Sequence, residues 1–175
     1  MTIMPEQPPA FPQKALDLDA YEARVRNGRC FICGIVSSDD PHGHHIIYRD
    51  EVCVAFLNKL PTLVGYSLIA PLQHRTDVVS SFSQAEYLEL QRRVHWLGKA
   101  VSEVVPTERL YLLSMGSHQG NSHVHWHVAP LPPGVPYRQQ QYGSLTGPYL
   151  DIPDSYQHEL AARIRDAVRR IAAGG

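Results

Sequence analysis

Three histidines alternate with apolar residues in one short segment, His123-Val124-His125-Trp126-His127-Val128. Successive side chains of a β-strand point to opposite faces, so a strand here puts the three imidazoles on one face and the apolar residues on the core face. Burying a histidine costs free energy unless it is hydrogen-bonded, so packing alone does not account for three in register. A neutral imidazole, whose unperturbed pKa is about 6.5, is a good nucleophile at pH 7. The segment therefore predicts a reaction centre on one face of a strand.

A second candidate motif is the pair Cys30 and Cys33, separated by two residues. This spacing occurs in zinc sites, in redox-active pairs and by chance. A thioredoxin-like redox site requires a strand before the pair and a helix after it, and neither is predicted convincingly. Zinc would require two further ligands from elsewhere in the chain.

The loop that leads into the histidine segment, residues 116–122, is rich in Gly, Ser and Asn. Gln119, Gly120, Asn121 and Ser122 offer backbone and side-chain donors for phosphate oxygens. The position of the loop beside the three histidines favours phosphate binding over a plain turn.

Other histidines and the third cysteine are interpreted more simply. The group His42, His44 and His45 flanks Gly43 and is predicted to be a solvated turn. His95 is predicted to lie on the surface or edge of a helix. Cys53 lies in a predicted strand as a buried spectator.

The elements that must position these groups follow from periodicity. Residues 84–104 form the clearest helix, with Ser83 and Glu86 as a capping box and an apolar stripe that faces a core. Short strands are predicted at 46–48, 51–57, 66–70, 109–115 and 123–129, and further helices at about 16–25 and 156–172. Short strands around one long helix favour an α+β domain with an antiparallel sheet.

Composition excludes several classes of protein. With 16 Lys and Arg against 17 Asp and Glu, the net charge of −1 supplies no field that would attract a nucleic acid or an anionic membrane. No apolar run is long enough for a membrane span, and residues 1–12 do not resemble a signal peptide. Three cysteines, an odd number, argue for a reducing compartment, so a cytoplasmic location is expected.

The chain divides into three predicted parts. Residues 1–28 form a Pro-rich N-terminal extension, and residues 29–130 form the domain that carries the motifs. Residues 131–175 form an irregular segment rich in Pro, Gly and Gln, followed by a C-terminal amphipathic helix that packs on the domain. Long loops in compact domains are usually functional or disordered, so we expect the segment to influence substrate choice.

The histidine segment resembles the defining motif of the histidine-triad (HIT) superfamily, in which three histidines alternate with apolar residues. Upstream, Asn58 to Gly65 is similar to the Asn/Asp-x-x-Pro-x-x-x-Gly segment that contacts the nucleotide ribose in this family. The resemblance covers roughly residues 30–130. It implies a HIT-like, strongly bent antiparallel sheet of about five strands, with one long helix, and pairing of two chains as a homodimer.

Roles for the candidate catalytic and binding residues follow from the resemblance. It implies that His125 attacks the α-phosphate and becomes a covalent nucleotidyl-histidine, and that His127 contacts the phosphate oxygens or the leaving group. It implies that Asn58 binds the ribose. The substrate would be a nucleoside polyphosphate or a related small nucleotide.

Zinc-containing members of the family supply the two missing ligands. The resemblance implies that His74 and His123 join Cys30 and Cys33 in a closed, structural Cys₂His₂ zinc site. Such a metal would hold the N-terminal segment against the catalytic strand.

The resemblance favours a hydrolase without excluding related activities. The sugar-1-phosphate uridylyltransferase branch has Gln at the third histidine position, whereas this chain has His127. Asn121 and Ser122, however, are similar to the residues before the histidines in those transferases. Cleavage of a phosphoanhydride or phosphoramidate is expected, with nucleotidyl transfer, phosphorolysis or nucleotide binding without turnover as alternatives. Tyr66 stands where many members have His, a difference expected to alter packing rather than chemistry.

Overall fold

The computed structural model describes residues 7–174, in which seven β-strands form two antiparallel sheets. The strands are β1 Gln13–Lys14, β2 Ile46–Arg49, β3 Cys53–Leu57, β4 Ser67–Pro71, β5 Arg109–Ser114, β6 Trp126–Leu131 and β7 Tyr149–Leu150. The main sheet has the order β2-β3-β4-β6-β5, so β4 and β6 pair although β5 lies between them in the chain. The small sheet pairs β1 with β7.

Five α-helices accompany the sheets. They are α1 Leu18–Asn27, α2 Phe31–Ser37, α3 Gln84–Val104, α4 Tyr142–Leu145 and α5 Asp154–Ala173. The bounds of α3 are those predicted, and Ser83 and Glu86 form both hydrogen bonds of the capping box. The expected α+β class, with a five-stranded antiparallel sheet, one long helix and a C-terminal helix, is thus confirmed. Within residues 7–174, no helix has the length and apolarity to cross a membrane.

Two layers of side chains cover the main sheet. On one face, Ile69 and Val128 pack in a core with residues of α3 and α5. Leu97 of α3 and Ile164 of α5 are fully buried there, because both helices place an apolar stripe toward the sheet. On the other face, Phe56 and its neighbours pack against α2. The catalytic candidates lie on this second face, which is covered less extensively.

The structure corrects the prediction that no helix follows the cysteine pair. Helix α2 begins directly after Cys30, whose Sγ accepts from the backbone N–H of Cys33. It ends at Ser37 and is followed by Ser38 in the left-handed conformation. Gly34 and three β-branched residues give its seven residues a low helix propensity, so no local signal predicts it. It is held by burial of Ile32 and Ile35 against the sheet. Since helix α1, and not a strand, comes directly before the cysteine pair, the thioredoxin-like context is still incomplete.

The segments before and after the central domain contact each other, and the C-terminal one also contacts the domain. The N-terminal part before α1 pairs with the C-terminal part through β1 and β7, and Lys14 forms an ion pair with Asp151. Residues 1–6 of the predicted Pro-rich extension, and Gly175, lie outside the described residues. In the irregular segment, the carbonyl of Ser144 accepts from the hydroxyl of Thr62, and the N–H of Leu150 donates to Pro61. This segment therefore lies beside the Asn58–Gly65 loop.

Candidate active site and metal centre

The three central histidines lie where β6 begins. The predicted strand over 123–129 starts only at Trp126, because the N–H of Val124 donates to the carbonyl of Arg75 instead of to a strand. The alternation nevertheless holds, since Val124, Trp126 and Val128 all belong to the core under α3. The rings of His125 and His127 lie 4.8 Å apart, centroid to centroid, on the opposite face.

His125 is held in one tautomer by the backbone. Its Nδ1 lies 2.7 Å from the carbonyl oxygen of His123, which only accepts, so Nδ1 carries the proton and Nε2 keeps a lone pair. Burial lowers the pKa of His125 despite this hydrogen bond, so the ring is neutral at pH 7. Across residues 7–174, Gln91 Nε2 is the one fully buried side-chain nitrogen or oxygen without a partner. Nε2 of His125 therefore has no hydrogen-bond partner within these residues and is not fully buried.

His127 faces a tyrosine. The hydroxyl of Tyr66 lies 2.9 Å from His127 Nδ1, and the two rings meet edge to face. Burial, together with the neighbouring His125, lowers the pKa of His127 to about 4. The residue that differs from the family pattern thus makes a direct polar contact with the third histidine. The tyrosine after Gly65, where many members of the family have histidine, marks this position in the sequence, but the contact with His127 is visible only in the structure.

The low pKa of His127 predicts a loss of stability in acid. The unfolded chain, with a histidine pKa of about 6.5, binds this proton more readily than the folded chain does. The contribution is fully present above pH 6.5 and is lost as the pH falls toward 4, at a cost of about 3 kcal/mol. Urea unfolding of the wild type and of His127→Gln over this range measures it. The stability difference between the two proteins should shift by that amount, and parallel pH curves would contradict the prediction.

The predicted phosphate loop is attached to α1. The side-chain amide of Asn121 donates to the hydroxyl of Tyr21 at 2.8 Å, and Arg26 donates to Gln119 at 3.0 Å. Gly120 lies against Val25 of the same helix, where a Cβ would come within 2.9 Å of a methyl group. The contact with α1 could not be predicted, because α1 has no buried residue and little amphipathic character.

The structure places two of the four loop residues in a concavity that His123 lines but that neither His125 nor His127 lines. Asn121 and Ser122 line a concavity of about 210 Å³ together with His118 and His123. The side chain of Gln119 is exposed and directed toward Arg26 on α1. Gly120 does not line the concavity. Asn121 has a positive φ of 57°, a conformation that asparagine adopts more readily than most residues.

Asn58 lies at the end of β3 and is connected to Tyr66. Its backbone N–H donates to the carbonyl of Tyr66 at 2.9 Å, and its side-chain oxygen accepts from the N–H of Leu60 at 3.0 Å. The oxygen thus closes a turn, which leaves the side-chain NH₂ as the group that can donate to a ligand.

The turn predicted to be solvated is so only in part, because His42 is exposed whereas His44 and His45 are not. The side chain of His44 is 7% exposed, and its Nδ1 lies 3.0 Å from both carboxylate oxygens of Asp40. Its ring stacks on Phe31 and meets Phe56 edge to face. Phe31 also contacts the ring of His125, at a centroid distance of 6.5 Å. An aromatic wall, formed by Phe31, His44 and Phe56, therefore adjoins the histidines. The other predictions hold, because His95 is exposed and Cys53 is fully buried.

The two cysteines and two histidines proposed as metal ligands lie together. The ligand atoms of Cys30, Cys33, His74 and His123 all lie within 4.8 Å of one another. Nδ1 of His123 is 3.5 Å from Cys30 Sγ and 3.6 Å from Cys33 Sγ, and Nδ1 of His74 is 3.2 Å from Cys33 Sγ. Tetrahedral zinc places sulfur and nitrogen ligands about 3.6 Å apart.

The hydrogen bonds and protonation states of these residues also suit a metal ion. Nε2 of His123 donates to the carbonyl of Pro71 at 2.9 Å, which leaves Nδ1 with its lone pair toward the sulfurs. Burial lowers the pKa of His123 to about 4, so the imidazole is neutral. Burial and the nearby Cys30 raise the pKa of Cys33 to about 11, and a divalent cation would offset this by stabilising the thiolate. The donor set therefore fits zinc.

Comparison with known proteins agrees with this geometry. The sequence profile of the HIT domain matches residues 42–133, just over half of the chain. The adenosine 5′-monophosphoramidase of Schizosaccharomyces pombe is 32% identical over 122 residues, which cover 67% of this chain and 81% of the relative.

Two solved structures show the same fold. A protein from Sulfolobus tokodaii described as a hypothetical histidine triad nucleotide-binding protein has a TM-score of 0.66 at 22% identity, covering 81% of this chain and 93% of its own. A Zn-bound histidine triad family protein from Mycobacterium smegmatis has a TM-score of 0.66 at 21% identity, covering 83% of this chain and 97% of its own. The profile match and the identity to the yeast relative place the present chain within one family. It belongs to the histidine-triad (HIT) family.

Proposed function

We propose that the protein is a nucleotide hydrolase that cleaves a phosphoanhydride or phosphoramidate bond at the α-phosphate of a nucleoside. The observation that carries this proposal is the state of His125, whose Nδ1 is bound to a carbonyl and whose Nε2 is unpaired and not fully buried. A neutral imidazole fixed in this tautomer is prepared to form a bond to phosphorus.

Hydrolysis proceeds in two displacements. In the first, the lone pair of His125 Nε2 forms a bond to the α-phosphorus, and the bond from phosphorus to the leaving oxygen or nitrogen breaks, with its electron pair leaving on that atom. In the second, water attacks the same phosphorus, the N–P bond breaks, and its electron pair returns to Nε2. The products are the protonated leaving group and the nucleoside monophosphate, so water is the only co-reactant.

Neighbouring groups would bind the rest of the substrate. We assign the phosphate oxygens to His127 and to the loop residues Asn121 and Ser122, and the ribose to the free NH₂ of Asn58. The half-buried ring of Phe31, which lies against His125 and is backed by His44 and Phe56, supports a subsite for the nucleobase. The phosphoramidase activity of the yeast relative supports a phosphoramidate among the substrates.

The Cys₂His₂ group would hold a structural zinc ion. All four protein ligands are present, which leaves no open coordination position for catalysis. When bound, the zinc would hold α2 and the start of β6 at a fixed separation, two residues from His125. The M. smegmatis neighbour, described as Zn-bound, supports this assignment.

We also propose that two copies of the chain pair through α3 and β5. β5 is an edge strand of the main sheet, and the concavity between it and α3, about 340 Å³, includes Leu110 and Leu112. Leu112 and Leu88 are 50% and 58% exposed. A second copy would cover these apolar side chains and the unpaired edge of β5.

The cytoplasmic location stays a prediction.

A turnover screen with adduct trapping tests the function. The purified chain is incubated with nucleoside polyphosphates, nucleoside phosphoramidates and sugar nucleotides, and products are separated with and without orthophosphate or a sugar 1-phosphate. A hydrolase should release nucleoside monophosphate at rates that neither additive changes. Quenching in alkaline denaturant, since N–P bonds are acid-labile, should trap one nucleotidyl group on His125. A rate that depends on orthophosphate would indicate a phosphorylase, and a rate that depends on a sugar phosphate would indicate a transferase. Nucleotide binding without any product would indicate a non-catalytic module. Each of these three outcomes would contradict hydrolysis.

A further inference from the structure

Tyr66 connects two parts of the site that are remote in sequence. Its carbonyl accepts from the N–H of Asn58, and its hydroxyl contacts His127 Nδ1, 61 residues further along the chain. The residue is 4% exposed, and burial raises the pKa of its hydroxyl to about 12, so it keeps its proton at neutral pH. Gly65, with a positive φ of 80°, turns the chain so that Tyr66 enters the sheet at this point.

The direction of the hydrogen bond between Tyr66 and His127 follows from the other partners that each group has. The hydroxyl of Tyr66 makes no other hydrogen bond within residues 7–174, so a donation from His127 to it would leave the phenolic proton buried without a partner. Donation by Tyr66 to a lone pair on Nδ1 satisfies both groups. The proton of the neutral His127 ring then resides on Nε2, which has no protein partner among the described residues and is not fully buried.

We infer that Tyr66 is a positioning residue that holds His127 in the Nε2–H tautomer, opposite to the Nδ1–H tautomer of His125. A carbonyl acceptor selects one tautomer and a hydroxyl donor selects the other. The two adjacent imidazoles, 4.8 Å apart, therefore present different atoms at their open nitrogens: a lone pair on His125 and an N–H on His127. The first can attack phosphorus, and the second can donate to a phosphate oxygen or to the leaving group.

The consequence for catalysis rests on the proposed function, whereas the tautomers themselves do not. Without the hydroxyl, His127 could carry its proton on either nitrogen, and part of the population would present a second lone pair to the anionic phosphate. Donation in the transition state would then weaken. We expect Tyr66→Phe to lower kcat about tenfold, the usual effect of losing one buried hydrogen bond, with little change in KM.

Nitrogen NMR on the full ¹⁵N-labelled chain tests the inference directly. Long-range ¹H–¹⁵N spectra at pH 7.5 distinguish protonated from unprotonated ring nitrogens, and His125→Gln and His127→Gln assign the signals. In the wild type, we expect a protonated Nε2 and an unprotonated Nδ1 for His127, with the reverse for His125. In Tyr66→Phe, the two His127 nitrogens should move toward each other as both tautomers become populated.

A second tyrosine provides the matched control. Tyr48, on β2 and outside the site, is a half-buried tyrosine whose hydroxyl also has a raised pKa and donates to Asp50 at 2.8 Å. Tyr48→Phe should leave the His127 signals and kcat unchanged. A wild-type His127 protonated on Nδ1, or unaltered His127 signals in Tyr66→Phe, would overturn the inference. Because the tautomer is measured without substrate, a protein that shows these spectra but no turnover would refute the proposed function alone.

Discussion

The His125→Ala variant is expected to lose on the order of 10³-fold or more in turnover and to form no nucleotidyl adduct. The physical reason is that Nε2 of His125 is the atom that we propose bonds to phosphorus. His123 also donates to a carbonyl, but its lone pair faces the sulfurs of Cys30 and Cys33. His127, the nearest imidazole, has its Nδ1 against Tyr66 rather than against a carbonyl. Rates with the substrate identified in the screen, together with mass spectrometry after alkaline quenching, measure both effects.

A matched histidine and a bypass substrate separate chemistry from folding. His158→Ala removes an exposed imidazole on α5 and should retain full activity. A nucleoside 5′-phosphorimidazolide already contains the N–P bond that His125 would form, so His125→Gly should hydrolyse it if the remaining site is intact. Full turnover by His125→Ala, or an adduct on His127, would show that the nucleophile is assigned wrongly.

Removal of one cysteine ligand is expected to have the second large effect. The purified chain should contain about one zinc ion, and Cys33→Ser should lose most of it. Because zinc binds the folded chain and not the unfolded one, its loss lowers stability by about 4 kcal/mol when free zinc is about 1,000 times its dissociation constant. Metal analysis and thermal unfolding with and without a chelator measure the two quantities.

Cys53 is the control for this experiment. It is a fully buried cysteine outside the metal group, so Cys53→Ala removes a thiol while leaving all four ligands in place. That variant should keep its zinc and its response to chelator. Cobalt substitution adds a test of geometry, since tetrahedral thiolate coordination produces intense visible absorption. Less than about half an equivalent of zinc in the wild type, or equal zinc in Cys33→Ser, would contradict the site.

Much of the fold could be predicted because its signals are local. The stripe of Leu90, Val94 and Leu97 follows the helical repeat, and the capping box defines the first turn of α3, so this helix is predicted at both ends. The five strands of the main sheet are predicted to within three residues, whereas β1 and β7 are not predicted. The start of β6 at Trp126, three residues later than predicted, could not be predicted, because the N–H of Val124 donates to the distant carbonyl of Arg75.

Prediction of the site was less complete. The catalytic and metal candidates were found because histidines and cysteines in regular spacing are rare without a chemical purpose. His44 was misinterpreted as part of a solvated turn, because its Asp40 partner and the aromatic rings that bury it are assembled only when α2 packs on β3. The sequence predicts that Tyr66 affects only packing, because an aromatic residue at the start of a strand gives no local indication of a hydrogen bond.

By itself, the sequence determined the two-residue alternation that places three imidazoles on one face, the long helix that covers the other, and the paired thiols. These features depend on backbone geometry over a few residues, which any chain with this pattern shares. Only the tertiary structure decided which groups meet across 41, 61 and 93 residues: Cys33 with His74, Tyr66 with His127, and Cys30 with His123. Such contacts depend on the pairing of β4 with β6, two strands separated in the chain by α3 and β5. Their register brings the carbonyl of Pro71 to His123 and the hydroxyl of Tyr66 to His127.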